Sequence, residues 1–217
     1  MSRNKYPEET VTLILNVAQS LFLEKGYEHT TIQDIIDNLG GLTKGAIYHH
    51  FKSKEDILKS VINRIFSQNT LSKKWNGIIS NPNMNGAEKL KSMLYESIVD
   101  EQEREFRNMG IDLQKFPQLL SDLLTRQVNE IAKKSFEPVL VEGKHDGSIT
   151  VIHPKEFAQI IALLANIWIN PLVFPMSDEE IKRKFEVLCI MCTSIGVDIS
   201  ELYNAVNSMN QEANKNK

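Results

Sequence analysis

The chain has 217 residues, of which 41% are hydrophobic and 24% are charged, and its formal net charge is −3. This composition is typical of a soluble globular protein. The small negative net charge does not indicate a nucleic-acid partner. The longest apolar stretch, residues 157–174, is interrupted by polar side chains and a proline, which argues against a membrane span. The first ten residues lack the apolar run of a signal peptide, so we expect a cytoplasmic protein.

The two cysteines, Cys189 and Cys192, are too few for a disulfide framework or for a zinc site built from cysteine alone. They lie three residues apart inside a predicted helix, so both thiols could share one face. A redox pair with this spacing normally lies at a helix N-terminus, where the helix dipole lowers the thiol pKa. We therefore favour buried, inert thiols, and we expect neither a metal nor a cofactor.

Apolar residues recur at helical spacing and show no useful run of strict alternation, which predicts an all-α protein. The first helix would begin at Pro7 and end at Gly26. Capping patterns then predict three more helices. The residues that open them are Thr30 or Thr31, Thr43 and Ser53. The last of these helices is long and amphipathic, whereas the two before it are short and are separated by Gly40-Gly41.

A segment dense in turn-forming residues, 80–86, separates this part from the rest of the chain. Beyond it we predict helices near 87–107, 109–115, 117–142, 154–170, 177–195 and 199–209, with a loop at 143–147. We therefore expect two domains, 1–67 and a larger helical domain, 68–217.

Two short helices joined by a tight glycine turn predict a helix-turn-helix. In such a unit the second helix enters the major groove of DNA with its N-terminus first, where small side chains let the backbone approach the bases. The residues nearest the base edges would be Thr43, Lys44, Gly45 and Ala46. Short capped helices also occur in ordinary helical bundles. Charge does not favour DNA binding, since residues 1–60 carry seven Lys or Arg against eight Asp or Glu.

Three further residues could hold the sugar-phosphate backbone. The Tyr48 hydroxyl and a ring nitrogen of His49 are suitable donors to phosphate, one turn further along the second short helix. Lys54 lies in the first turn of the following helix, where its charge and the unpaired N–H groups would form an anion site. We interpret Phe51, between the two helices, as a core residue.

The segment from Ala18 to Leu58 resembles the N-terminal domain of the TetR (tetracycline-repressor, TetR/AcrR) family of bacterial transcriptional regulators. The matching motifs are Gly26-Tyr27, Thr30-Thr31, Asp34-Ile35, Lys44-Gly45, Tyr48-His49-His50-Phe51 and Lys52-Ser53-Lys54. The resemblance covers about the first 65 residues. It implies that residues 43–46 face bases, and that the residues contacting phosphates are Thr31, Tyr48, His49 and Lys54. One departure is the turn at residues 40–43, which has one residue more than the family pattern and would change the angle between the two short helices.

The resemblance also implies a homodimer and a small-molecule effector. The helices predicted near 154–170 and 177–195 are more apolar than one buried stripe requires, and in the family the last two major helices pair with those of a partner. Central core helices would show the same excess. Large, adaptable side chains of the second domain could line an effector pocket, although ordinary core packing also explains them. These residues are Met93, Phe106, Met109, Phe116 and Trp168.

The resulting hypothesis is a ligand-responsive transcriptional regulator, acting as a repressor, that binds a double-stranded DNA operator with inverted repeats as a homodimer. The alternative is a helical adaptor or small-molecule-binding protein whose DNA-binding module is degenerate, which the near-neutral charge of the N-terminal segment favours. We do not expect an enzyme, because the sequence has no nucleophile elbow, P-loop, Rossmann glycine pattern or zinc-ligand spacing.

Overall fold

The computed structural model describes residues 7–67 and 70–203. All regular structure in these two ranges is helical, which confirms the predicted fold class. The helices are α1 (Pro7–Lys25), α2 (Ile32–Asp37), α3 (Lys44–His50), α4 (Lys54–Ser67), α5 (Thr70–Ile79), α6 (Gly86–Val99), α7 (Glu101–Asn108), α8 (Pro117–Arg126), α9 (Glu137–Asp146), α10 (Pro154–Leu163) and α11 (Asp178–Thr193). Wider, π-type turns continue α8 through Gln127–Phe136 and α10 through Leu164–Trp168, and Leu113–Lys115 forms a single 3-10 turn.

The first helices begin and end where local sequence signals predict. Helix α1 begins at Pro7, and Gly26, which follows its end, has a left-handed φ of 79°. Helix α2 is opened by Thr31, whose side chain forms a reciprocal capping box with Asp34. Thr43 caps α3, and the predicted turn segment 80–86 separates α5 from α6.

The chain divides into two compact units, and the first comprises Met1–Asn69 together with Glu105–Ile111. The core of this unit contains fully buried side chains from α1, α2, α3 and α4. They include Ile14, Phe22, Ile35, Ile47, Ile57 and Leu58. Phe51 is also buried, which confirms its interpretation as core. The segment Glu105–Ile111 supplies the buried residues Phe106 and Met109, and the Met109 carbonyl accepts a hydrogen bond from the Tyr27 backbone N–H at 3.1 Å.

The second unit comprises Thr70–Arg104 and Asp112–Lys217, and it has its own apolar core. Trp75 of α5 is at the centre of this core: its indole N–H donates to the Met93 carbonyl at 3.0 Å, and its ring lies 5.3 Å from that of Phe136. The sequence analysis did not predict α5. The domain boundary predicted near residue 67 remains a prediction. Nothing in the sequence indicated that Glu105–Ile111 packs with the first unit.

Two predicted helices differ from the structure, and a third lies mostly outside the described residues. The predicted helix 87–107 is divided into α6 and α7 at Asp100, an extended residue (ψ 127°) whose buried carboxylate lies 3.7 Å from the Lys74 ammonium. The predicted helix 109–115 is reduced to the 3-10 turn. The final predicted helix, 199–209, lies mostly outside the described residues, although Leu202 and Tyr203 are helical.

The predicted loop at 143–147 was wrong, because α9 continues to Asp146 and only Gly147 leaves it, with a left-handed φ of 81°. Gly143 lies inside this helix, and a glycine is needed at this position because α6 crosses there at close range. A Cβ atom added to Gly86 would lie 2.3 Å from the Gly143 Cα, and one added to Gly143 would lie 2.5 Å from Ile149 Cδ1. This glycine therefore marks close packing rather than a helix end.

Candidate nucleic-acid interface

The inner faces of α2 and α3 are held in the core of the first unit, so their outer faces are presented to solvent. Ile35 and Leu39 anchor the α2 side of this helix-turn-helix, while Ile47 and Phe51 anchor the α3 side. The same alternation of buried and exposed positions leaves the first turn of α3 on the surface. This is the exposure that a helix needs in order to enter a groove of DNA.

The turn between the two helices contains Gly40 and Gly41, both with positive φ, at 61° and 109°. Side chains other than glycine rarely adopt these conformations. A Cβ atom on either glycine would meet no atom within 4 Å, so the backbone conformation and not crowding accounts for glycine at both positions. The turn with its extra residue therefore uses backbone conformations that glycine readily adopts.

The N-terminal turn of α3 combines an unpaired cation with a glycine that the protein itself does not require. Lys44 is exposed, its ammonium lies 5.8 Å from the centre of the Tyr48 ring, and it has no carboxylate partner among the described residues. Gly45 has an ordinary helical φ, and an added Cβ would come no closer than 3.7 Å to the Thr43 Oγ1. Neither backbone strain nor crowding therefore accounts for this glycine, although glycine is less favourable than alanine in a helix by up to about 1 kcal/mol.

Further along α3, Tyr48 and His49 are exposed, Tyr48 by 45% of its surface. The ring of His49 lies edge-on to that of His50, with 5.0 Å between the ring centres. Both predicted phosphate donors are therefore exposed on α3, and the Tyr48 ring lies beside the Lys44 ammonium.

Thr31 is exposed, but its hydroxyl is already used in the cap of α2. It donates to the Asp34 carboxylate at 2.6 Å and accepts from the Asp34 N–H at 3.0 Å. The Asp34 carboxylate also accepts from the Thr31 backbone N–H at 2.7 Å, and these two bonds from Thr31, with help from Lys25 at 3.2 Å, lower the pKa of Asp34 to about 2. The negative charge of Asp34 is thus offset by Lys25. The Thr31 hydroxyl hydrogen is already bonded to Asp34, so this side chain must rotate before it can donate to DNA.

Lys54 does not extend freely into solvent. Its ammonium donates to the backbone carbonyls of Tyr27 at 2.8 Å and of Thr30 at 2.9 Å, and it lies 4.1 Å from the centre of the Tyr27 ring. Burial lowers the pKa of Lys54. The sequence analysis missed Tyr27 as the partner of this cation, and the only local signal was an aromatic residue directly after the glycine that ends α1.

The five residues predicted to line an effector pocket are not brought together within either unit. Phe106 and Met109 belong to the first unit, while Met93, Phe116 and Trp168 belong to the second. Met93 is fully buried in the core of the second unit.

A separate surface cavity of about 380 Å³ lies in the second unit, and none of the predicted pocket residues lines it. Its lining residues are Val128, Asn129, Lys133, Glu137, Lys155 and Gln159. Close by in sequence, the buried amide oxygen of Gln127 has no hydrogen-bond partner within the described residues. The sequence analysis did not single out Gln127, and a lone glutamine in a helical pattern carries no signal of this kind.

The two late helices α10 and α11 each expose large apolar side chains. Ile160 projects from α10, and Val187 and Ile190 project from α11, with Ile190 exposed over 69% of its surface. On the same helix, Cys192 is buried and Cys189 is half-buried, and burial raises the pKa of both thiols, that of Cys192 to about 12.

Neither a metal-binding cluster nor a membrane-spanning helix is found in the described part of the chain. There, no group of three His, Cys, Asp or Glu side chains is arranged to hold a metal ion. Nor does any described helix combine the length and the apolar character that crossing a bilayer requires.

Comparison with known proteins connects this geometry with a family. Residues 14–61 match the family described as bacterial regulatory proteins, tetR family. The chain is 27% identical over 178 residues to IcaR of Staphylococcus aureus (strain Newman), the negative transcriptional regulator of the biofilm operon icaADBC, covering 80% of this chain and 91% of IcaR. It is 41% identical over 49 residues to the transcriptional repressor KstR2 of Mycolicibacterium smegmatis, which is 23% of each chain. A solved TetR-family regulator from Pectobacterium atrosepticum shares the fold, with a TM-score of 0.65 at 20% identity over 89% of this chain and 97% of that one.

Proposed function

Since the chain belongs to the TetR family of bacterial regulatory proteins, we propose that it is a ligand-responsive transcriptional repressor that binds an inverted-repeat operator as a homodimer. The observation that carries this proposal is the exposed first turn of α3. It holds an exposed cation at Lys44, which has no carboxylate partner in the described part of the chain, and a helical glycine at Gly45 for which the surrounding packing gives no reason. With chromosomal DNA as its partner, the protein would act in the bacterial cytoplasm.

In the proposed complex, the N-terminal turn of α3 lies in the major groove with residues 43–46 against the base edges. Gly45 allows the helix backbone to come close, and Lys44 donates to a guanine edge or to a phosphate. Tyr48 and His49 donate to phosphates on the wall of the groove. Thr31 contributes least, because its hydroxyl would have to leave Asp34 in order to donate to DNA.

A homodimer supplies the second reading helix. One helix-turn-helix contacts few base pairs, and specific binding uses two half-sites about 34 Å apart. The exposed apolar side chains of α10 and α11, Ile160, Val187 and Ile190, support an interface between two copies through these helices.

The second unit would bind the effector. The buried amide oxygen of Gln127 has no donor among the described residues, and leaving such an acceptor unpaired costs about 1–3 kcal/mol. Gln127 also begins a stretch of π-type turns, which are frequent at functional sites. An effector with a hydroxyl or N–H group could satisfy this oxygen. Because coupling between two ligands is reciprocal, operator DNA would weaken effector binding by the same factor as the effector weakens operator binding.

Selection of bound duplexes from a random pool tests the proposal. We expect recovery of an inverted repeat, with an affinity that falls steeply as salt increases because phosphate contacts release counterions. Sedimentation of the purified protein should show a dimer at micromolar concentration. A protein that selects no duplex at low ionic strength, or whose weak binding is insensitive to salt, would instead be the degenerate adaptor.

A further inference from the structure

The first unit is poor in permanent positive charge for a protein that binds DNA. Residues 1–60 carry seven Lys or Arg against eight Asp or Glu. Two of these lysines are already paired with carboxylates: Lys25 lies 3.2 Å from Asp34, and Lys59 lies 2.8 Å from Glu55. Cations placed against phosphates supply most of the non-specific affinity for DNA. A further source of positive charge on α3 would therefore strengthen operator binding.

Histidine side chains can supply this charge. Three of the five histidines of the chain, His29, His49 and His50, lie within residues 1–60. His49 and His50 are in the last turn of α3, the first exposed and the second half-buried, and their rings lie edge-on with 5.0 Å between centres. Imidazole is the side chain whose charge ordinarily changes between pH 5 and 8. Protonation would thus turn the small negative balance of residues 1–60 into a positive one.

The acidic side chains of α2 and α4, the helices before and after α3, already have other partners. These carboxylates are Asp34, Asp37, Glu55 and Asp56, and their partners are the Thr31 N–H, the Gln33 amide, the Lys59 ammonium and the Lys52 N–H respectively. Among the described residues, neither imidazole forms an ion pair with a carboxylate. Phosphate is therefore the anion that remains for a protonated ring.

The cations on these elements are also accounted for. The Lys44 ammonium lies 5.8 Å from the centre of the Tyr48 ring, and Lys52 is exposed. The Lys54 ammonium donates to two backbone carbonyls, and Glu28 in the turn before α2 acts on it electrostatically. These cations keep their charge at neutral pH, so the imidazoles are the groups of α3 whose charge can change there.

Operator phosphates would favour the protonated form of the histidine pair. In the free protein, two protonated rings so close together repel each other. In the proposed complex His49 lies at the wall of the groove, where a phosphate opposes this repulsion and accepts a charge-assisted hydrogen bond from the ring N–H. A ligand that favours the protonated form takes up protons as it binds, so its affinity falls as the pH rises.

We propose that the hydrogen ion is an effector of operator binding, taken up by His49 and His50 as α3 enters the groove, so that the operator is held more tightly as the pH falls from 8 toward 6. This inference rests on the proposed DNA-binding function and adds a regulator to it. It also explains how residues 1–60 could bind DNA with a charge that is close to neutral when the histidines are neutral.

Two strongly displaced groups of the first unit titrate outside this range of pH. Hydrogen bonds from Thr31 lower the pKa of Asp34 to about 2, and burial raises the pKa of Tyr27 to about 12. Neither group changes its charge between pH 6 and pH 8.

The test is titration of the selected operator with the full-length protein between pH 6 and pH 8 at constant salt. Each proton taken up contributes one unit to the slope of log affinity against pH, and we expect wild-type affinity to fall roughly 10- to 100-fold over this range. The double variant His49→Gln/His50→Gln keeps polar side chains that cannot take up a proton, so its slope should be close to zero. Only slopes are compared, because glutamine also replaces a phosphate donor.

Salt dependence separates proton uptake at phosphates from a pH-dependent change of fold. Each protonated ring against a phosphate adds about 0.9 to the slope of log affinity against log salt. The wild-type salt slope should therefore be steeper at pH 6 than at pH 8, whereas the double variant should have one salt slope at both. Equal wild-type affinities at pH 6 and pH 8, or a double variant that keeps the wild-type pH slope, would overturn the inference.

His145→Gln is the matched control, because His145 is an exposed histidine of the second unit, and it should keep the wild-type pH slope. His29→Gln removes the remaining histidine of the first unit. A pH slope that is lost in His29→Gln or in His145→Gln but kept in the double variant would place the proton elsewhere and refute the assignment to α3.

If the double variant does not fold, the wild-type protein still decides the question. Its heat of operator binding at pH 7 should differ between two buffers of different ionisation enthalpy, in proportion to the protons taken up, and equal heats would overturn the inference. A wild-type chain that selects no duplex at any pH contradicts the proposed function itself. Binding to a selected operator that is independent of pH leaves that function standing and rejects the inference alone.

Discussion

The substitution Gly45→Ala should change stability and DNA affinity in opposite directions. In the free protein an added Cβ would lie 3.7 Å from the Thr43 Oγ1, an ordinary contact, and the backbone has no positive φ to strain. Alanine in a helix is favoured over glycine by up to about 1 kcal/mol. For a chain of this size, that gain raises Tm by roughly 2–4 °C.

On the operator the same methyl group would meet the groove floor. Inserting a methyl group into a tightly packed contact typically costs about 1–3 kcal/mol. A dimer meets this cost at both half-sites, so even the lower value predicts roughly 30-fold weaker operator binding.

The matched control is Gly77→Ala. Gly77 lies in α5, is exposed, and has no atom within 4 Å of an added Cβ. It should show a similar stability gain with unchanged operator affinity. Thermal unfolding and operator titration at one protein and salt concentration provide both measurements. Wild-type affinity in Gly45→Ala would refute the placement of α3 in the groove, whatever happened to stability.

Four further outcomes are expected. Tyr48→Ala should weaken binding to all duplexes about equally, as a lost phosphate contact does, and an effect confined to one operator would contradict that role. The pKa of Asp34 is about 2 in the folded protein against 3.8 normally, so its contribution to stability should be complete above about pH 4 and be lost as the pH falls toward 2; a ¹³C carboxyl titration with a midpoint near 3.8 would disprove this. The wild-type protein and a variant with both cysteines replaced by serine should bind DNA equally well, under oxidant and reductant alike, because burial raises both thiol pKa values and keeps the wild-type thiols unreactive. Gly86→Ala should destabilise the second unit by about 1–3 kcal/mol in urea unfolding, since its Cβ would lie 2.3 Å from the Gly143 Cα.

Features governed by neighbours in the sequence could be predicted from it. The Thr31–Asp34 and Ser177–Glu180 boxes each require only residues three positions apart, and both are present in the structure. The start of α1 at Pro7 and the core position of Phe51 follow from equally local patterns. The exposed surface of α3 could be anticipated for the same reason, because its apolar anchors recur at helical spacing.

Features governed by distant parts of the chain could not. Gly143 was interpreted as a loop residue because the sequence does not show that Gly86 crosses it from 57 positions away. The return of Glu105–Ile111 to the first unit depends on buried side chains that a periodic pattern would assign to any core. Lys54 is bonded to carbonyls 24 and 27 positions earlier, and a backbone carbonyl has no signature in the sequence.

A glycine becomes informative about function only after its structural causes have been tested. At Gly41 the cause is the backbone, since φ is 109°. At Gly86 the cause is tertiary, since the Gly143 backbone occupies the space of a side chain. Gly45 has neither cause, yet it lowers the stability of the helix that carries it. A residue that weakens its own helix without an internal reason is best explained by a partner that must approach the backbone there, and the neighbouring Lys44 suits a partner that is negatively charged.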